Sequence, residues 1–168
     1  MEKLREYFDY NPETGQLWWK KQSHKSSHSL PGTMCEHINS DGYKVVKFMG
    51  KVYKVHRVIF YLYHSYVPTC IDHINGIKTD NRVSNLRPAT DSENKANIGL
   101  TANNTSGFKG VCWDGQIGLW RAQTYKNRKY YFLGRYKTKE EAALAYNEKA
   151  LELHGEFARL NEISNGKT

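Results

Sequence analysis

The chain has 168 residues, of which 39% are hydrophobic and 13% aromatic, so it can form a packed core and is not a wholly disordered protein. Lys and Arg number 25 against 17 Asp and Glu, and the net charge of +8 favours a polyanionic partner, nucleic acid before an acidic membrane. Because no apolar run reaches the ~18 residues of a membrane span and no signal segment follows the charged N-terminus, we expect a soluble, cytoplasmic protein without a membrane partner.

The first half of the chain is predicted to combine short helices with hairpins, since turn-forming Pro and Gly residues separate short runs rich in Tyr and Val. In chain order we expect a helix over 2–8, a turn at 11–15, a strand over 16–20, an exposed loop over 21–40, strands over 43–48 and 51–55 joined at Met49-Gly50, and a core helix over 57–66. The three cysteines are far apart in sequence, so we predict neither a structural zinc site nor a disulfide framework.

The segment from Ile71 to Asn94 carries the residue types that phosphodiester hydrolysis needs. His73 can deprotonate water near neutral pH, and a hard divalent ion held by the Asp72 carboxylate and the Asn94 amide oxygen can stabilise charge on the phosphate. Two short strands around a long turn, followed by a helix from Ser92, would let these side chains converge. Taken alone, however, an Asp-His dipeptide is more often a solvated turn.

The whole string of motifs resembles the HNH endonucleases of phages, including intron-encoded homing endonucleases. The matching residues are 10–20, 55–57, 71–76, 80–82, 84–87 and 93–94. The resemblance implies a ββα-metal fold for this half of the chain.

The same resemblance implies roles for individual residues of the nuclease motif. His73 would be the general base, and Asn85 would tie the turn between the two strands and so orient His73. Asn94 stands where many members have a second catalytic His, and it would bind one metal ion per active site together with Asp72. Oxygen ligands favour Mg²⁺ or Mn²⁺ over zinc or nickel.

The second half is predicted to be a three-stranded antiparallel sheet packed on one helix, an α+β unit. Strands are expected over 108–113, 119–125 and 129–136, and a helix begins after the capping box of Thr138 and Glu141 and ends at Gly155. This half resembles the Apetala-type, or ethylene-response-factor, DNA-binding domain through residues 107–111, 120–122, 132–136, 138–146 and 154–161. The resemblance implies that the sheet enters the major groove of duplex DNA.

Strand alternation predicts which side chains of the sheet face the DNA. The predicted DNA-binding residues are Lys109, Arg121, Gln123, Tyr125, Lys126, Arg128, Tyr130 and Phe132. Arg121 suits guanine and Gln123 adenine, and the lysines and Arg128 suit phosphates. Cys112, Asp114, Tyr125 and Tyr130 replace arginines that read bases in the family, so its sequence preference is not carried over. The alternative is that the exposed aromatic side chains only pack at the sheet surface.

We therefore predict a nuclease domain over 1–98, a linker over 99–106 and a DNA-binding domain over 107–163. The expected activity is metal-dependent cleavage of double-stranded DNA at selected sites by a phage homing endonuclease, in the cytoplasm of an infected bacterium. The alternative is a DNA-binding regulator with an inactive nuclease domain. No protein partner is evident; a monomer would nick DNA, whereas a homodimer could cut both strands.

Overall fold

The computed structural model describes residues 2–23 and 29–163, and their contacts divide the chain into two compact units, Met1–Ala89 and Thr90–Thr168. Each unit has its own core of buried side chains. The units divide earlier in the chain than the domain boundary predicted at residue 98. No helix in the described part of the chain is long and apolar enough to cross a membrane.

In its described residues, the first unit consists of three antiparallel hairpins, two α-helices and a 3₁₀ turn. Its elements are α1 (Lys3–Tyr7), β1 (Phe8–Asn11), β2 (Gln16–Trp19), β3 (Val45–Phe48), β4 (Lys51–Lys54), α2 (Val55–His64), β5 (Cys70–His73), a 3₁₀ turn (Val83–Asn85) and β6 (Leu86–Ala89). The hairpins pair β1 with β2, β3 with β4, and β5 with β6. The predicted turn at Met49-Gly50 joins β3 to β4, and both residues have positive φ angles of 48° and 77°.

Strand β1 was not predicted, because the sequence reading extended the first helix to Phe8 and placed a turn soon after it. In the structure Phe8 pairs with Trp19 across the hairpin, and their rings lie 4.3 Å apart between centroids. Burial of these aromatic rings, with Phe48 beside them, favours the extended conformation over another helical turn.

Helix α2 forms the centre of the first core. Val55, Val58 and Ile59 are fully buried. The segment 21–40, predicted as an exposed loop, is only partly exposed, because Ser29 and Cys35 are buried. Residues 24–28 of this segment lie outside the described part of the chain.

The second unit contains the predicted three-stranded sheet and helix. Its elements are α3 (Asp91–Asn97), β7 (Val111–Asp114), β8 (Leu119–Lys126), β9 (Lys129–Tyr136), α4 (Lys139–His154) and a 3₁₀ turn (Gly155–Phe157). The strands lie in the order β7-β8-β9, and α4 packs on the sheet through the fully buried Ala142, Ala143 and Ala150. Helix α4 begins with the predicted capping box of Thr138 and Glu141. The α+β fold class is thus confirmed.

Helix α3 contacts α4 and the 3₁₀ turn that follows α4, so its contacts belong to the second unit. The resemblance to HNH endonucleases implies that the same helix completes a ββα-metal motif after β5 and β6, and its place in the nuclease domain stays a prediction.

Candidate functional site

The candidate general base, His73, is the last residue of β5 and is only 5% exposed. Its Nε2 atom lies 3.1 Å from Oδ1 of Asn81, a side chain in the turn between β5 and β6. The rings of His56 and Tyr43 lie beside it, with centroids 4.9 Å and 6.1 Å away. His73 is therefore held by a polar partner on one side and by aromatic rings on others.

Burial lowers the pKa of His73, although the bond to Asn81 and the nearby carboxylates of Asp72 and Asp80 oppose the shift. The imidazole is consequently neutral at pH 7 and can accept a proton. The contact with Oδ1 of Asn81 fixes the orientation of the imidazole ring.

His56 supplies a second neutral ring next to His73. Burial, followed by the proximity of His73, Lys54 and Arg57, lowers the pKa of His56 to about 3. Its Nδ1 atom is buried and has no hydrogen-bond partner in the described structure. A ring of this kind packs against His73 without adding a competing charge.

The turn between β1 and β2 packs against the backbone that carries Asn81. Gly15 has a φ of +69°, and a Cβ atom there would lie 2.4 Å from the carbonyl carbon of Asn81 and from the backbone nitrogen of Arg82. The backbone N–H of Val83 donates to the Pro12 carbonyl at 2.9 Å. The N-terminal hairpin thus braces the segment that holds the general base, and only glycine permits this approach.

Asn85 ties together the turn that follows β5. Its Oδ1 accepts from the backbone N–H of Asn75 at 3.0 Å, while its Nδ2 donates to Oδ1 of Asn75 at 3.0 Å and to the Asp80 carbonyl at 2.8 Å. This is the tying of the turn that the resemblance implied; a catalytic role for Asn85 remains a prediction.

The candidate metal ligand Asp72 is buried and pairs with Arg87 on the neighbouring strand. Nε and Nη2 of Arg87 each lie 2.9 Å from Oδ2 of Asp72, and the two residues are register partners across β5 and β6. The guanidinium compensates the buried carboxylate and fixes its orientation.

The second candidate ligand, Asn94, is half-buried on α3 in the second unit. A carboxylate and an amide oxygen form an all-oxygen donor set, which fits a hard ion such as Mg²⁺ or Mn²⁺. No group of three or more His, Cys, Asp and Glu side chains could hold a metal ion within residues 2–23 and 29–163.

The outer face of the β7-β8-β9 sheet carries basic and aromatic side chains. Tyr125, Tyr130 and Phe132 are 57%, 43% and 49% exposed, whereas Ala122 and Thr124 on the helix side are buried. The rings of Tyr125 and Tyr130 lie 5.2 Å apart across the two strands. Arg121 and Gln123 alternate with the buried residues along β8, as predicted from strand periodicity.

The three residues predicted to contact phosphates differ in their surroundings. The ammonium group of Lys109 donates to the carbonyls of Ala96 and Ile98, and that of Lys126 donates to the Leu153 carbonyl. Arg128, by contrast, is exposed in the turn between β8 and β9. A phosphate contact of either lysine would have to replace these bonds within the unit.

Three residues of the candidate nuclease site and of the outer face of the sheet were not predicted. Asn81 and Arg87 lay within motifs that the resemblance matched, but the pattern did not show that they contact His73 and Asp72. Arg135 is exposed on β9, pairs with Asp114 at 3.0 Å and stacks over the Phe132 ring at 5.2 Å. A β-bulge at Ala122/Gln123 interrupts the alternation of faces along the strands. Simple alternation therefore did not predict that Arg135 lies on the outer face.

Comparison with known proteins finds one family match in each half of the chain. A family model described as HNH endonuclease matches residues 53–96, and one described as AP2 domain matches residues 106–156. "Protein 3.8" of Escherichia phage T7 is 38% identical over 90 residues, which cover 53% of this chain and 73% of that protein. The chain therefore contains an HNH endonuclease domain and an AP2 domain.

A second relative supports the HNH match. A protein of Acanthamoeba polyphaga mimivirus, named as an uncharacterised HNH endonuclease, is 35% identical over 130 residues, which cover 76% of this chain and 66% of that protein. No solved structure shows a significant match to the chain. The HNH match contains Asp72, His73, Asn85 and Asn94, and the AP2 match contains the whole sheet and all of α4.

Proposed function

We propose that the protein is a metal-dependent endonuclease that hydrolyses phosphodiester bonds of double-stranded DNA at selected sites. The observation that carries the proposal is a buried, neutral His73 held by Asn81 and flanked by the buried Asp72, inside the segment that matches HNH endonucleases. A neutral imidazole beside a carboxylate is suited to activating water next to a phosphate.

In this mechanism His73 accepts a proton from water, and the resulting hydroxide attacks the phosphorus atom. The P–O3′ bond breaks, the 3′ oxygen leaves and is protonated, and the products are a 5′-phosphate and a 3′-hydroxyl. Asp72 and Asn94 would hold one Mg²⁺ or Mn²⁺ ion, which when bound stabilises negative charge on the phosphate. Asn85 fixes the turn after β5 and thereby the direction of His73.

The AP2 domain binds the DNA duplex through the outer face of its sheet. Arg121 and Gln123 would contact base edges, Lys126 and Arg128 would contact phosphates, and the exposed aromatic side chains Tyr125, Tyr130 and Phe132 would pack in the groove. Their combination of positive charge and apolar area suits a groove lined by phosphates better than it suits another protein surface.

Both relatives named above are viral proteins, which supports a phage or viral homing endonuclease acting in the cytoplasm of an infected cell. One HNH site cuts one strand in each engagement, so a monomer would nick the target and a homodimer could cut both strands.

The decisive experiment compares His73→Ala with wild type on supercoiled plasmid carrying fragments of a candidate host genome, with Mg²⁺ or with EDTA. We expect wild type to convert plasmid to nicked or linear DNA only with Mg²⁺, and His73→Ala to lose this activity while binding DNA normally. His37→Ala is the matched control, because His37 is exposed. Normal cleavage by His73→Ala would refute the assignment of the base.

One observation favours the alternative of a DNA-binding regulator. The guanidinium of Arg87 already occupies Oδ2 of Asp72, as it could in a site that no longer binds metal. A regulator would bind duplex DNA tightly and leave every strand intact at all Mg²⁺ concentrations, so the same plasmid assay separates the two functions.

A further inference from the structure

We propose that Lys109 of the AP2 domain is a positioning residue for the nuclease: it fixes the helix that carries Asn94, the proposed metal ligand. This inference rests on the proposed function, in which Asn94 is a metal ligand.

The geometry places the Lys109 ammonium group at the C-terminal end of α3. It donates to the carbonyl of Ala96 within the helix and, at 2.6 Å, to the carbonyl of Ile98 just beyond it. The last carbonyls of a helix lack partners within the helix and carry partial negative charge, so an ammonium group is their natural cap. Asn94 lies only two residues before Ala96.

Lys109 is itself held firmly by the core of the AP2 domain. Its backbone N–H donates to Oδ1 of Asn161 at 2.6 Å, and its carbonyl accepts from Nδ2 of Asn161 at 3.0 Å. Asn161 is bonded in turn to Asn147 on α4, through contacts of 2.7 Å and 2.9 Å. A continuous set of hydrogen bonds therefore runs from α4 through Asn161 and Lys109 to α3.

Other contacts from the same unit fix both ends of α3. The backbone N–H of Arg159 donates to the Ala96 carbonyl at 3.3 Å, and that of Asn127 donates to Oγ of Ser92 at 3.4 Å. Ala96 and Asn97 are buried. A helix of seven residues is not stable on its own in water, so the order of α3 depends on these contacts.

Burial supports a structural role for Lys109 over a phosphate contact. Lys109 is half-buried, and burial and the nearby Arg159 lower its pKa to about 8, so the group is still mostly charged at pH 7. An ammonium group placed to meet DNA phosphates would instead be solvated in the free protein, as the exposed Arg128 is.

The test compares Lys109→Met with wild type in the full-length protein. Methionine keeps the apolar stem but cannot cap the carbonyls. We expect amide hydrogen exchange in α3 to accelerate roughly tenfold or more, the size expected for losing hydrogen bonds to a charged group, and the Mg²⁺ concentration for half-maximal cleavage to rise. Affinity for DNA in EDTA and its dependence on salt should stay as in wild type.

Arg128→Met is the matched comparison, because Arg128 is an exposed cation of the same domain and is proposed to contact a phosphate. It should weaken DNA binding and reduce the slope of log K against log salt by about 0.9, while leaving exchange in α3 unchanged. If Lys109→Met gives that pattern instead, Lys109 is a phosphate contact and the inference is overturned.

Exchange in α4 reports whether the AP2 core remains folded in Lys109→Met. If α4 also loses protection, Lys109→Arg decides, because arginine keeps the charge and can donate to two carbonyls: restored protection of α3 and α4 supports the inference, and unrestored protection of α3 overturns it. Exchange in α3 does not require cleavage, so it remains informative even if His73→Ala shows that the proposed function is wrong.

Discussion

Asn81 has more influence on the general base than its place in the sequence suggests. It is 1% exposed, hydrogen-bonds to the His73 imidazole and leaves its own Nδ2 atom buried without a partner in the described structure. An unpaired buried donor costs stability, commonly about 1–3 kcal/mol. A side chain that is kept because it orients His73 accounts for this cost.

Replacing Asn81 should change both the rate of cleavage and its dependence on pH. Asn81→Ala removes the hydrogen-bond partner that aligns His73, and we expect kcat to fall roughly tenfold to a hundredfold, as for other misplaced catalytic groups. The bond to Asn81 raises the pKa of His73, so its loss lowers that pKa further and moves the acidic limb of kcat/KM to lower pH.

Asn81→Asp is the informative counterpart, because a carboxylate at this position stabilises the protonated imidazole. It should move the acidic limb to higher pH, opposite to the shift in Asn81→Ala. Profiles of kcat/KM against pH for the three proteins measure both shifts, and coincident limbs would show that Asn81 does not act through His73.

The residues of the nuclease motif could be selected from sequence because their spacing matches a family, whereas their partners could not. The bond between His73 and Asn81 depends on the path of the turn after β5 and on Gly15 behind it. Likewise, Arg87 pairs with Asp72 only because the register of β5 and β6 places them opposite each other. Contacts of this kind follow from tertiary structure rather than from local pattern.

Among the elements, the hairpin of β8 and β9 has an unusual turn. Its two-residue loop consists of Asn127 and Arg128, with φ angles of 51° and 66°, and is closed by the pair Lys126 and Lys129. Positive φ at both central residues defines the type I′ turn, which strongly favours Asn followed by Gly. Arginine at the second position is therefore strained, and strain of this kind tends to be kept where the side chain has a function.

Arg128→Gly should separate stability from DNA binding. Glycine relieves the strain but also increases the entropy of the unfolded chain, so we expect a net gain of roughly 0.5 kcal/mol, or about 2–4 °C in the melting midpoint of the second unit. DNA affinity should fall, because the substitution removes the exposed cation proposed to meet a phosphate.

Asn127→Gly is the matched control, since it alters the same turn without changing charge and should leave DNA affinity unchanged. Calorimetry and salt-dependent binding measure the two effects. Unchanged affinity in Arg128→Gly would mean that the turn lies away from DNA.

The regular elements of the second unit were predictable because their signals are local. Strand alternation identified the exposed faces of Tyr125, Tyr130 and Phe132, and the capping box marked the start of α4. The contacts of α3 with the second unit were not predictable, since they depend on long-range hydrogen bonds such as those from Lys109. Sequence order places α3 directly after β6, and the HNH match over residues 53–96 includes most of this helix.

At the scale of the whole molecule, the two units have separate cores and different titrating groups. The first core surrounds α2 and contains the buried His56, whereas the second lies between the sheet and α4. We therefore expect thermal unfolding in two transitions, since each core can be lost without the other.

The two transitions should respond differently to pH between 7 and 5. The pKa of His56 is about 3 in the folded first unit and ~6.5 when unfolded, so below pH 6.5 the unfolded state binds more protons and the stability of the first unit falls. At pH 5 the loss is about 2 kcal/mol, roughly 10 °C for a unit of this size, and the lowered pKa of His73 acts in the same direction. In the second unit His154, with a lowered pKa but only half-buried, should give a smaller decrease.

The carboxylate of Asp80 does not obscure this comparison, because Arg82 lowers its pKa to about 2 and the stability that it adds is lost only well below pH 5. His56→Phe keeps a ring of similar size and removes the titrating group, so the pH response of the first transition should shrink by about 2 kcal/mol while the second transition stays in place. Scanning calorimetry at pH 7, 6 and 5 measures both. If the first transition kept its midpoint across this range in the wild-type protein, His56 and His73 would not be buried as neutral rings, and the electrostatic basis for His73 as a general base would be lost with them.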